Sequence, residues 1–117
     1  MVITNSEMSE ISLNIIIKAG NARAMAAEAV DLARKGKFAE AEEQITAAEL
    51  EMNEAHQAQT EMLIKNARAV TNGEDALMPD ILMVHAQDHF NAALLSIDNG
   101  RAFIALYEEI DSLKKRL

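Results

Sequence analysis

This sequence predicts an all-α domain of three long helices, and three observations carry that reading. Half of the 117 residues are apolar, mostly Ala, Leu, Ile and Met, with three Phe, one Tyr and no Trp. Small side chains and good helix formers favour helices that approach one another closely. One Pro and four Gly supply too little turn chemistry for a many-stranded sheet. Apolar residues also recur at steps of three and four over long stretches, the period of an amphipathic helix. A chain of this length forms one domain, residues 1–117.

Residues 1–8 read as a flexible tail, ahead of a first helix from about Ser9 to Lys35. Gly36 supplies its stop, with Arg34 and Lys35 in the last turn. Ile11, Ile15, Ala22, Ala26, Ala29 and Ala33 lie along one side, and Ile16, Met25 and Leu32 widen it. The second helix runs from about Phe38 to Val70. Phe38, Ala41, Ile45, Ala48, Met52, Ala55, Gln59, Met62, Asn66 and Ala69 form its seam, with two polar members near the end. The short connection at Gly36 makes these helices an antiparallel hairpin. Residues 71–78, opened by the polar turn Thr71-Asn72-Gly73-Glu74-Asp75, form the next loop.

The third helix starts near Pro79, a residue tolerated in a first turn. Ile81, His85, Asp88, Ala92, Leu95, Asn99, Ala102, Leu106 and Leu113 share one seam. Leu82, Met83, Phe90, Leu94 and Ile97 form a second apolar set. A helix packed in a monomeric bundle needs one buried face, so this one is expected to be covered by other subunits as well. Asp98-Asn99-Gly100 is turn-like, yet the apolar spacing resumes in phase at Ala102 and Leu106, so the helix is expected to continue.

Charge and composition remove several functions. With 19 acidic against 11 basic residues, the net charge is −8. Such a surface repels a nucleic-acid backbone and favours encounter with a basic protein. The absence of cysteine excludes disulfides, thiolate metal sites and a cysteine nucleophile. The stretch Met1 to Glu10 has no Lys or Arg of a targeting signal, and no run approaches the roughly 18 apolar residues of a membrane span. A cytoplasmic protein without membrane insertion is the expectation.

Chemistry concentrates in Val84-His85-Ala86-Gln87-Asp88-His89. His85 lies three residues from Asp88 and four from His89, so the three side chains occupy adjoining turns. One reading is a polar layer that sets the register of a helical scaffold or adaptor. A second is a metal site of His85, Asp88 and His89, although the ligand count is short for zinc and the Glu-x-x-His pairs of a di-iron bundle are absent. A third is a histidine phosphotransfer domain of a two-component relay, in which Lys-Gly usually follows the histidine; Asp88-His89 stands here instead. His56, beside the second-helix seam, reads as structural.

The same hexapeptide resembles the signature of the lactose/cellobiose-type enzyme IIA components of bacterial sugar phosphotransferase systems. Ala19-Gly20-Asn21-Ala22-Arg23, Gly36-x-Phe38-x-x-Ala41, and Asn53-Glu54-Ala55-His56 with Gln59-Thr60 resemble other segments of that family in the same order. Phe90-Asn91 departs from the family's usual Leu-Met pair, and Asn99-Gly100 falls where apolar residues are usual. The resemblance implies three antiparallel helices assembling as a homotrimeric nine-helix bundle. It implies His85 as the residue that accepts a phosphoryl group from the carrier HPr and passes it to a cysteine of enzyme IIB, serving uptake of a β-linked disaccharide of the cellobiose, chitobiose or lactose class. It also implies that Asp88 shares a divalent cation, such as magnesium, with its two symmetry mates, and that Gln87 and His89 line the histidine's site. The residue types suit the task, because histidine is substantially neutral at physiological pH and so offers a nucleophilic ring nitrogen.

Overall fold

Thr4 starts the first helix. Its hydroxyl accepts the Glu7 backbone N–H at 3.0 Å, and the Glu7 carboxylate accepts the Thr4 N–H at 3.2 Å. This reciprocal capping box satisfies two donors that a helix start leaves open. The structure, a computed structural model describing residues 3–117, accordingly begins helix α1 (Asn5–Arg34) at Asn5 rather than near Ser9. The expectation of a tail over 1–8 is corrected for the described part. Ile3 and Met8 are buried against Met83, with Ile11, Met62 and Leu77 packed around them, because burying these apolar groups outweighs leaving the segment free.

Helix α2 (Phe38–Thr71) follows after a tight reversal. Gly36 adopts φ +83°, a conformation that costs glycine little. The Lys37 N–H then reaches back to the Leu32 carbonyl at 2.9 Å, closing the end of α1. The end of α2 repeats the device, with Gly73 at φ +84° and the Glu74 N–H on the Ala69 carbonyl at 2.9 Å. Helix α3 (Ile81–Arg116) is capped by Asp80, whose carboxylate accepts the Met83 N–H at 2.8 Å. Pro79 therefore lies just outside the helix, and α3 runs without interruption through Asn99 and Gly100.

The helices form an up-down-up rod of 68 × 21 × 18 Å. Ser12 meets Met83, and Val30 lies beside Gly100, so α1 and α3 run parallel with α2 antiparallel to both. The α1 stripe Ile15, Ala19, Ala22, Ala26, Ala29 and Ala33 is buried against Ala41, Ile45, Ala48, Met52 and Ala55 of α2. Alanine keeps the axes close, and a few larger groups fill the gaps. Truncating the fully buried Ile45 to alanine would cost about 2–5 kcal/mol. Of the two polar members of the α2 seam, Asn66 holds the following loop, its amide oxygen accepting the Leu77 N–H at 3.0 Å.

On α3 the residues packed inside the chain are Met83, Ala86, Phe90, Ala93, Ile97, Gly100 and Ile104. The seam read through Ile81, Leu95, Leu106 and Leu113 faces outward instead, and these four are 53–88% exposed. The helix is thus apolar on an inner and an outer face, and only the inner one is covered within the chain.

Candidate functional site

The inward residues of α3 decide where the polar hexapeptide points. Ala86 and Phe90 are buried, so the positions between them are turned to the flanks and outward. His85 is exposed, His89 and Gln87 are half-buried, and Asp88 is exposed. The continuous helix, fixed at its start by Asp80, holds His85 and His89 one turn apart. Their Nε2 atoms lie 3.1 Å apart, a hydrogen bond in which one ring donates and the other accepts. The rings meet edge to face, with centroids 4.6 Å apart and an interplanar angle of 84°.

A groove of about 720 Å³ opens beside this pair, between α1 and α3, lined by Gly20, Arg23, Val30, His89, Asn99 and Phe103 among others. The segment Ala19-Gly20-Asn21-Ala22-Arg23 therefore shares a surface with the histidine segment through Gly20, Arg23 and His89. The sequence offered no spacing rule that joins residues so far apart; only the parallel packing of α1 on α3 does so.

His56 is exposed on α2 and stacks on Phe90 instead, with ring centroids 6.0 Å apart at 28°. The metal reading built on His85, Asp88 and His89 together within one chain is not supported. Among the described residues no three His, Cys, Asp or Glu side chains converge. His85 and His89 share one flank of the helix, and Asp88 points away from it toward the open outer face.

Ionic contacts lie elsewhere and brace the rod. Arg101 bonds to Glu49 and, at 3.2 Å, to Glu42, tying α3 to α2. The Arg101 guanidinium holds the Glu49 carboxyl below the ordinary carboxylate range, against the opposing effect of partial burial. Lys18 joins α1 to Glu54 and Glu51 of α2, and Lys65 reaches Glu7 at 3.3 Å.

Three long helices with a paired imidazole exposed on the third define a helical, histidine-presenting domain. The family model described as "PTS system, Lactose/Cellobiose specific IIA subunit" matches residues 10–108, and the chain belongs to that family. It is 40% identical over 106 residues to the lichenan-specific phosphotransferase enzyme IIA component of Bacillus subtilis (strain 168), covering 91% of this chain and 92% of that one. The crystal structure of the PTS cellobiose-specific enzyme IIA from Bacillus anthracis superposes with a TM-score of 0.78 at 34% identity, covering 95% of each chain. The IIA(Chitobiose) structure solved in complex with HPr from Escherichia coli gives 0.74 at 29% identity, covering 89% of this chain and 96% of that one. No helix among the described residues is long and apolar enough to cross a membrane.

Proposed function

We propose that this chain is a phosphocarrier for uptake of a β-linked disaccharide, accepting a phosphoryl group on His85 from phosphorylated HPr and passing it to a cysteine of enzyme IIB. The observation that carries this reading is the exposed His85 imidazole, held by His89 on a helix whose family is that of IIA subunits. Donor and acceptor in the first step are both imidazoles. The phosphorus–nitrogen bond of the donor breaks as one forms at His85, and the product keeps the transfer potential of a phosphoramidate. In the second step a thiolate on enzyme IIB takes the phosphoryl group and returns the lone pair to the His85 nitrogen.

Only a ring nitrogen with a free lone pair can attack. In the tautomer where His89 donates, the His85 Nε2 carries that pair, and attack requires the His89 N–H to move from the nitrogen to an incoming phosphoryl oxygen. The transition state of such a transfer is loose, so positioning and charge stabilisation are the protein's main contributions. Gln87, two residues on and half-buried, lies on another side of α3 from His85, so its amide would donate to the site only across a contact with a second copy. The outward seam of α3 is covered in a homotrimer of nine helices, where Asp88 of each copy would hold a shared divalent cation of the magnesium type. One carboxylate per chain gives such a site three hard oxygen donors only on assembly, and the ion would offset their mutual repulsion. The protein works in the cytoplasm, where HPr reaches it.

Incubation with phosphorylated HPr followed by mass measurement tests the proposal. Wild type and His56→Ala should each gain one phosphoryl group, acid-labile and base-stable, and His85→Ala should gain none while keeping its helicity. Labelling of His85→Ala would move the acceptor elsewhere. A wild-type protein that accepts nothing would leave a helical scaffold whose polar residues set register.

A further inference from the structure

We infer that His85 and His89 also form a two-nitrogen site for a borderline transition-metal ion such as Zn²⁺, and that a metal bound there blocks His85. The site differs from any cation on Asp88 in its donor atoms, its place on the helix and the class of ion it takes. Its basis is the 3.1 Å separation of the two Nε2 atoms on an unbroken helix. An ion binding imidazole nitrogens at about 2.0–2.1 Å separates two of them by roughly 3.3 Å when tetrahedral. At adjacent corners of a square the separation is about 2.9 Å. The observed spacing falls between the two. Each ring must turn about its own side-chain bonds so that its Nε2 lone pair leaves the line between the two nitrogens and meets the ion, while the unbroken helix keeps the spacing.

The electron and proton balance is simple. The hydrogen-bonded pair offers one free lone pair, and the second nitrogen holds the shared proton. That ring moves its proton from Nε2 to Nδ1, which frees the second lone pair without changing the proton count. Both nitrogens then bind the ion, and water fills the remaining positions because His85 is exposed. A chain of net charge −8 attracts cations to its surface in any case. Imidazole ligands select zinc, copper or nickel over magnesium, which prefers oxygen.

The lone pair that binds the metal on His85 Nε2 is the one a phosphoryl group would need. Metal and phosphoryl therefore compete, and this clause alone rests on the phosphocarrier reading. Metal binding to the unphosphorylated chain stands whether or not His85 is the phosphoryl acceptor, so the two fail separately.

The full chain should be titrated with Zn²⁺ alone by calorimetry in a weakly coordinating buffer, with and without excess Mg²⁺. One Zn²⁺ per chain is expected, undisturbed by Mg²⁺. Affinity should fall at least tenfold, about 1.4 kcal/mol, in both His85→Gln and His89→Gln, and stay within twofold in His56→Gln. Circular dichroism checks that each variant is folded. If the half-buried His89→Gln loses its helicity, the exposed His85→Gln decides alone. Zinc bound as tightly by folded His85→Gln, or displaced by Mg²⁺, would place the ion on carboxylates and overturn the site. Zinc-loaded wild type should take phosphoryl from pre-phosphorylated HPr at least tenfold more slowly, with chelation restoring the rate. Transfer at full rate to the loaded protein would overturn the blocking clause.

Discussion

Gly100 of α3 packs against Ile45 of α2 so closely that a Cβ at position 100 would lie 3.1 Å from the Ile45 Cδ1. It would also stand 3.6 Å from a Val30 methyl and 3.8 Å from the Ala26 carbonyl of α1. The glycine that looks like a turn in the sequence is thus a helical residue where three helices meet. Gly100→Ala gains about 1 kcal/mol of helix preference, and displacing the tip of the fully buried Ile45 costs a similar amount. Its midpoint of thermal unfolding should stay within a few degrees of wild type. Gly100→Leu has no room for the added volume and should lose about 1–3 kcal/mol. A Gly100→Leu protein as stable as wild type in urea titration would show that α3 rides higher on the hairpin.

The Arg101–Glu49 contact makes a prediction about acid. A carboxyl whose pKa is lowered on folding stabilises the protein fully above its unfolded value, near 4.5 here, and that contribution disappears as pH falls through the lowered value. Both side chains are more than a third exposed, so the contribution at neutral pH is about 1 kcal/mol or less. Glu49→Gln should therefore be slightly less stable than wild type near pH 7, and the gap should close once the pH has fallen below the lowered value of Glu49. Urea midpoints followed from neutral pH down into the acid range measure it. A gap that stays constant would assign the effect of the substitution to packing instead.

Net charge makes a kinetic prediction. A carrier of charge −8 that meets a basic partner gains encounter rate from long-range attraction, which salt screens beyond about 8 Å at physiological ionic strength. Phosphoryl transfer from HPr should slow as salt rises from about 20 to 500 mM, chiefly through the second-order rate constant. A rate independent of salt would leave the acidic surface with solubility as its only role.

The fold was legible because its core residues obey a helical period. Every member of the α2 seam from Ala41 to Ala55 is buried, and so are Ile15, Ala22, Ala26, Ala29 and Ala33 on α1. The start of α1 was not, although Thr4-x-x-Glu7 carries the capping signal, because no apolar period precedes it; Ile3 and Met8 pack on Met83, which the sequence places far away. On α3, periodicity found both apolar faces but could not say which faces inward, since two stripes on one helix compete for one core. His85 and His89 were legible as neighbours from their four-residue spacing. Their edge-to-face contact depends on rotamers that spacing leaves free, and the groove with Gly20 and Arg23 depends on helix pairing.

Asp88 carries the last prediction, which concerns assembly. It lies exposed on α3 at the outward side that also bears Ile81, Leu95, Leu106 and Leu113, an apolar surface no helix of its own chain covers. Three copies joined through this surface around a threefold axis would bring three like charges together in mostly apolar surroundings, where water screens them poorly. A hard divalent cation offsets that repulsion with oxygen ligands alone. Removing the cation should therefore weaken the trimer at neutral pH. Asp88→Leu removes the charges and the ligands together and adds apolar surface, so its trimer should be indifferent to chelator. Sedimentation of both proteins, each with and without EDTA, separates the possibilities. A wild-type trimer unmoved by EDTA would mean that no cation contributes to assembly. A wild type that sediments as a monomer throughout would deny the threefold contact itself. An Asp88→Leu trimer that still dissociates with EDTA would move the ion to another residue.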